Sequence, residues 1–224
     1  MIKLSFISIS ICLLLILRAN ASFRKPAIPT TNTDFDFYVF TSEWAGSVCS
    51  TNSCDKADAS GTTLNFWNIH GLWPSDGHRG LNYCTDEKFD PSQLNSLKDD
   101  LTAYWSGLYS NADTFHGHEW QVHGTCSNMS QPDYFSTVMK IAKELDVYGA
   151  LQRHNIIPGS QTYTCQQVAN AIRQSFGVTS FTLQANSGYL MALQVCISKD
   201  FKVENCPTTQ KICSGTVKYP ALKR

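Results

Sequence analysis

The chain has 224 residues, of which 42% are hydrophobic and 16% charged, with 18 Lys and Arg against 18 Asp and Glu. That length suits one domain with a sizeable core, and the composition excludes a disordered chain. The even charge balance excludes a charge-driven coat on nucleic acid, whose affinity would rest on neutralising many phosphates, while leaving room for a local cationic pocket.

Residues 1–21 read as a signal peptide: Lys3 lies in a basic start, an apolar run extends from Phe6 to Leu17, and Ala19-Asn20-Ala21 resembles a small-residue cleavage site. The run is shorter than the roughly 20 residues needed to span a bilayer, so no membrane association is expected after cleavage. Its removal takes away Lys3 and Arg18 and leaves 16 basic residues against 18 acidic ones. The remainder, 22–224, shows no repeat, low-complexity segment or linker and reads as one domain.

After a Pro- and Thr-bearing lead, the alternation of Phe35, Phe37 and Val39 with Asp36, Tyr38 and Phe40 predicts a buried strand. Cys49 to Gly61 is rich in Ser, Asp, Asn and Ala and reads as a loop, and Leu64 to Ile69 as a strand that delivers His70 at its end. Asp90-Pro91 pairs an N-cap with a first-turn proline, and Leu94, Leu97, Leu101, Tyr104 and Leu108 then recur at helical spacing. A second helix holds His118 to His123, and a third starts near Pro132 with Phe135, Val138, Met139, Ala142 and Leu145 on one side. A fourth runs from about Thr164 to Phe176 and stops at Gly177, before strands at Phe181 to Leu183 and Tyr189 to Ile197.

Of 9 cysteines, Cys12 lies in the leader, leaving Cys49, Cys54, Cys84, Cys126, Cys165, Cys196, Cys206 and Cys213. An even number in a secretory chain reads as disulfides, and no Cys-x-x-Cys pair suggests zinc. Asn128-Met129-Ser130 is a glycosylation sequon.

Two segments concentrate the unusual residues: Ile69-His70-Gly71-Leu72-Trp73-Pro74, and His118-Glu119-Trp120-Gln121-Val122-His123-Gly124-Thr125-Cys126. Histidine exchanges protons near neutral pH, and two can serve opposite ends of one phosphodiester. RNA cleavage needs that: the 2′-hydroxyl loses a proton as it attacks phosphorus, the 5′-oxygen gains one, and the phosphoryl oxygens need donors. At about 100° per residue, Glu119 and His123 lie one helical turn apart on one face, so Glu119 can orient His123 or touch the same substrate group. His118, about 140° away, meets the phosphate from the side. A zinc-protease reading fits poorly, because its two histidines stand four apart and these stand five apart.

These segments resemble the two signatures of the T2 ribonucleases, and the resemblance extends over much of the mature chain, including Phe35 to Trp44, Tyr104-Trp105 and the terminal cysteines. It implies an α+β fold with a central, mainly antiparallel sheet flanked by helices and four disulfides. The implied pairs are Cys49–Cys54, Cys84–Cys126, Cys196–Cys206 and Cys165–Cys213. It implies further that His123 is the general base and His70 the general acid in forming a 2′,3′-cyclic phosphate, with the roles reversed for hydrolysis to a 3′-phosphate. His118 then binds the phosphate, Glu119 helps polarise it, and Trp73 and Phe115 line base or ribose contacts. Stacking on aromatic faces tolerates any base, so low base specificity follows. The 2′-hydroxyl is the nucleophile, so DNA is not a substrate and neither metal nor cofactor is required. The expected protein is a monomer that acts on single-stranded RNA in the secretory pathway, outside the cell or in a lysosome or vacuole.

The chain departs from the family pattern at Val122, where Lys is usual, at Ser42-Glu43, where Gln-Gln is common, and at His116, where Trp is frequent. Loss of one charge facing the phosphate costs roughly 10²–10³ in rate unless another cation substitutes. Arg79, His78 and His116 are the nearest substitutes in sequence. The alternative is a ribonuclease-like storage or recognition protein of weakened activity, a reading motivated by Val122 and opposed by the intact His70, His118, Glu119 and His123. The four tryptophans other than Trp73 read as packing, and His78 and His154 as structural.

Overall fold

A computed structural model describes residues 33–52, 54, 62–77, 79–207 and 211–222. The expected leader and His78 lie outside the described residues. Strand β1 (Phe37–Glu43) and strand β2 (Asn68–Ser75) pair antiparallel. β1 also pairs antiparallel with the long β5 (Tyr189–Ile197). β4 (Thr182–Asn186) and β6 (Val203–Glu204) pair with β5, while β7 (Thr216–Lys218) and β3 (Thr162–Thr164) extend the sheet to the order β2-β1-β5-β7-β3. The β5–β7 pairing is parallel and the others are antiparallel. The fold is thus the expected single α+β domain with a mainly antiparallel sheet and flanking helices.

The helices follow their local signals. Asp90 caps a 3₁₀ segment, Pro91–Leu97, by accepting from Ser92 N, and α2 (Lys98–Tyr104) continues from it. The single helix expected here is therefore two short pieces, and Leu108 lies beyond them, buried against α1 (Ala45–Thr51). α1 itself begins before Cys49 and takes in the start of the stretch expected to be loop. α3 (Ala112–Val122) is capped by Asn111, and α4 (Gln131–Leu145) by Ser130, whose hydroxyl accepts from Asp133 N. A short α5 (Val147–Gln152), shorter than the periodic signal needs for detection, follows directly. α6 (Cys165–Phe176) opens with a Thr164–Gln167 capping box and stops at Gly177, whose φ of +69° is left-handed.

The core lies between the sheet and α2 to α6. Trp44, Trp67, Trp105 and Trp120 are all at most 2% exposed, which makes them the packing residues expected. All four implied disulfides are formed: Cys49–Cys54, Cys84–Cys126, Cys165–Cys213 and Cys196–Cys206. The third ties the start of α6 to the chain leading into β7, where Cys165 N already donates to Gly215 O.

Candidate active site

The first histidine sits on a fault in the sheet. Thr41 pairs with Gly71 while Ser42 pairs with Ile69, so His70 is the extra residue of a β-bulge. Strict alternation would put Ile69 and Leu72 on opposite faces, yet both are fully buried. The extra residue resets the alternation, so His70 and Trp73, also three apart, meet with ring centroids 5.3 Å apart. His70 is therefore inside β2, which starts at Asn68, and not at the end of a strand running from Leu64. Aromatic and β-branched residues at 64–69 imitate a strand, but 64–65 form a turn and the strand starts at Asn68.

α3 brings the second segment to the same place. His118 is exposed on it and Glu119 is fully buried beneath. The helix ends at Val122, and His123 is its C-cap, with φ −116°. The side chains of His123 and Glu119 both meet Trp73. The Glu119 carboxylate turns to the other histidine: Oε1 lies 3.6 Å from His70 Nε2, and Oε2 accepts a 2.9 Å hydrogen bond from Trp73 Nε1. This corrects the expectation that Glu119 can orient His123, which it meets only through its backbone carbonyl, the acceptor for His123 N at 3.0 Å.

Trp73 is the common wall. Its ring lies 5.1 Å from that of His123 and 5.3 Å from that of His70, so both histidines meet one indole. Phe115 closes the far side of His70 at 5.4 Å, edge-on. Gly71 is what lets Glu119 reach Trp73, because a Cβ there would overlap the Glu119 carboxylate and stand 2.6 Å from Trp73 Nε1. From behind, Trp105 Nε1 donates to His70 O at 3.0 Å, and the Tyr134 hydroxyl donates to Leu72 O at 3.1 Å. These bonds fix the strand that carries the site.

The two histidines are driven in opposite directions. Burial lowers the pKa of His123 to about 4, helped by the charges of His118 and His70 and opposed by the Leu81 backbone. Burial pushes His70 the same way, but Glu43 and Glu119 outweigh it and hold His70 above its ordinary value. Glu119 is raised to about 7, chiefly by burial, with His70 and the Trp73 bond opposing and Glu43 adding to the rise.

His70, Glu119, His123, Trp73 and Phe115 thus converge, and exposed His118 lies near enough for its charge to act on His123. Glu43 belongs with them: Oε1 is 3.1 Å from His70 Nδ1, an ion-pair distance, though off the line of a well-formed hydrogen bond. Sequence reasoning noted Glu43 only as a departure from pattern. Its place at the end of β1, beside the strand bearing His70, was the available signal. Of the substitutes for the missing lysine, Arg79 is exposed and turned to Asp76 at 3.5 Å. His116 is buried, with Nε2 2.7 Å from Trp105 O, and burial lowers its pKa, so it supplies packing and no phosphate-facing charge. A separate cavity of about 360 Å³, lined by Phe89, Leu94, Lys98, Leu101 and His116 among others, shares no residue with the group around Trp73.

The chain is 36% identical over 198 residues to ribonuclease DdI of Dictyostelium discoideum, a match covering 84% of this chain and 86% of that one. It is 30% identical to extracellular ribonuclease LE of Solanum lycopersicum over 84% of this chain and 88% of the other. Among solved structures, RNase NT in complex with 5′-AMP superposes with a TM-score of 0.75 at 25% identity, covering 84% of this chain and 99% of that one. Residues 35–206 match the ribonuclease T2 family, and the chain belongs to that family.

Proposed function

We propose that the protein is an endoribonuclease that cleaves single-stranded RNA by transphosphorylation. The observation that carries this reading is the pair of histidines that both meet Trp73, one pushed down by burial and the other held above its ordinary value by Glu43 and Glu119. Two titratable groups whose environments push their pKa values apart form an acid–base pair at one pH. His123 Nδ1 is buried, which leaves Nε2 to take the proton of the ribose 2′-hydroxyl. The 2′-oxygen attacks phosphorus, the bond from phosphorus to O5′ breaks, and His70 gives its Nε2 proton to the departing oxygen. In the second step neutral His70 takes a proton from water. Water oxygen then attacks the 2′,3′-cyclic phosphate, and His123 protonates the leaving 2′-oxygen to yield a 3′-phosphate. Exposed His118 and buried Glu119 meet the phosphate, and Trp73 and Phe115 offer ring surface to base or ribose with little discrimination among bases.

The nucleophile is part of the substrate, so the chemistry needs no metal or cofactor and spares DNA. The protein tested, residues 22–224, should act as a monomer after release of the leader in the secretory pathway, either outside the cell or in a lysosome or vacuole. Glycosylation at Asn128 fits its geometry, since Nδ2 gives one hydrogen to Thr33 O at 2.7 Å and the amide keeps one hydrogen after attachment of a sugar. Incubation with RNA in EDTA tests the reading. Cyclic-phosphate ends should form, with rate falling as His123 protonates near pH 4 and again as His70 loses its proton above its ordinary range. His123→Ala should abolish them. Absence of product across acidic to neutral pH would overturn the proposal in favour of a ribonuclease-like storage or recognition protein.

A further inference from the structure

Glu43 is a rigidly placed carboxylate without a lysine or arginine partner among the described residues. Its backbone pairs with Asn68 on one side and Ala192 on the other. Asn68 is itself locked, with Oδ1 accepting from Ser106 N and Nδ2 donating to Ser106 O and Ile69 O. On the other side of Glu43, Trp44 Nε1 donates to Pro220 O at 2.6 Å. The side chain is 15% exposed and is directed at His70 Nδ1.

We propose that Glu43 is the positioning residue of His70: its carboxylate faces Nδ1, fixes the ring's orientation and favours the imidazolium that presents Nε2–H to the departing oxygen. The two carboxylates around His70 do different things. Glu43 Oε1 is 3.1 Å from Nδ1, whereas Glu119 Oε1 is 3.6 Å from Nε2, too long for a hydrogen bond and open to competition from a leaving oxygen. A histidine whose second nitrogen faces a carboxylate holds one orientation and one proton position, and its charged form is stabilised. The other groups near this pair are Glu119 and His123 of α3, the latter with the charge of His118 acting on it, and Tyr109, whose phenol is pushed up to about 12 by burial and by the charge of Glu43. Glu43 also adds to the rise of Glu119, because two carboxylates on one ring resist ionising together. A Glu119 that keeps its proton into the neutral range can donate to a phosphoryl oxygen, in a site where residue 122 supplies no cation.

The inference rests on the endoribonuclease reading for its catalytic meaning, but the pairing can be read without turnover. Histidine-labelled protein would be titrated by NMR as wild type and as Glu43→Gln, with kcat and KM for a dinucleotide measured over pH. In Glu43→Gln the His70 midpoint should move to lower pH. The alkaline limb of kcat/KM should follow, costing about tenfold at pH 8, while the acid limb and KM stay in place. Glu43→Asp should restore part of the loss. A folded Glu43→Gln in which neither the His70 midpoint nor the alkaline limb moves would overturn the proposal. Should that variant not fold, the wild-type His70 spectrum decides: a neutral form protonated at Nδ1 supports the pairing, and one protonated at Nε2 overturns it. If wild type cuts no RNA while the His70 midpoint still responds to Glu43, the pairing stands and the endoribonuclease reading fails.

Discussion

At the scale of single residues, the site depends on what Gly71 omits and on what Val122 lacks. Glycine at 71 leaves the volume in which Glu119 accepts from Trp73 Nε1, and that bond holds the indole that both histidines meet. Val122 is 7% exposed and lies three residues after Glu119 and four after His118, on the same side of α3. A lysine there would rise beside the phosphate position with Glu119 as a neighbour. Val122→Lys is therefore expected to raise kcat by about tenfold or more, with KM little changed, in a steady-state assay near neutral pH. An unchanged rate would mean that His70 and His118 already neutralise the phosphoryl charge. Both signature segments were legible as chemistry from residue type and spacing, but the partner of Glu119 was not. Helical geometry pairs positions four apart only while the helix lasts, and it ends one residue before His123.

At the scale of elements, two devices hold the constellation: the bulge in β2 and the disulfide that closes α3. Cys126 lies in a 3₁₀ turn, Gly124–Cys126, that follows His123, and its bond to Cys84 secures the segment in which Tyr83 N donates to Val122 O. Replacing Cys84 and Cys126 together by serine should lower stability by about 2–4 kcal/mol in urea unfolding, because the bridge spans 42 residues of chain. It should also lower kcat more than it raises KM, since a looser His123 is misplaced for proton transfer although the substrate still stacks on Trp73 and Phe115. The cap at Asp90 and the stop at Gly177 were readable because each acts on its own neighbours. The bulge was not, because an extra residue in one strand is defined only by the strand opposite.

For the molecule as a whole, the sheet order places β1 beside β2, and α3 packs so that three separate segments supply carboxylates and histidines to one small volume. The consequence for stability is a pair of opposed pH dependences. Glu119 has its folded value near 7 against an ordinary 4.5, so its burial costs little below pH 4.5 and progressively more as pH rises through 7. His123, near 4 against 6.5, costs most below pH 4 and nothing above pH 6.5. Between about pH 4.5 and 6.5 one cost rises as the other falls, so their sum changes little with pH. Glu119→Gln removes the first, so its melting temperature should gain on wild type more at pH 8 than at pH 5, by the equivalent of about 2 kcal/mol. A gain equal at both values would show that Glu119 is ionised in the folded protein at both. Loss of a carboxylate beside His70 acts in the same sense, since the stability that His70 gains from staying protonated is present at low pH and lost as pH rises through its folded value.

The sequence by itself determined which residues stand in the two signature segments and, through resemblance, the α+β class and the four disulfide pairs. Residue type, spacing and capping are local properties, and the two signature segments are long enough to be recognised without a fold. Tertiary structure alone decided which carboxylate serves which histidine. Glu43 and His70 are distant in sequence and adjacent across two strands, and Glu119 on α3 faces His70 on β2. Burial, which drives His123 down and Glu119 up, is set by neighbours from the rest of the chain and exists only once the domain has closed around Trp73.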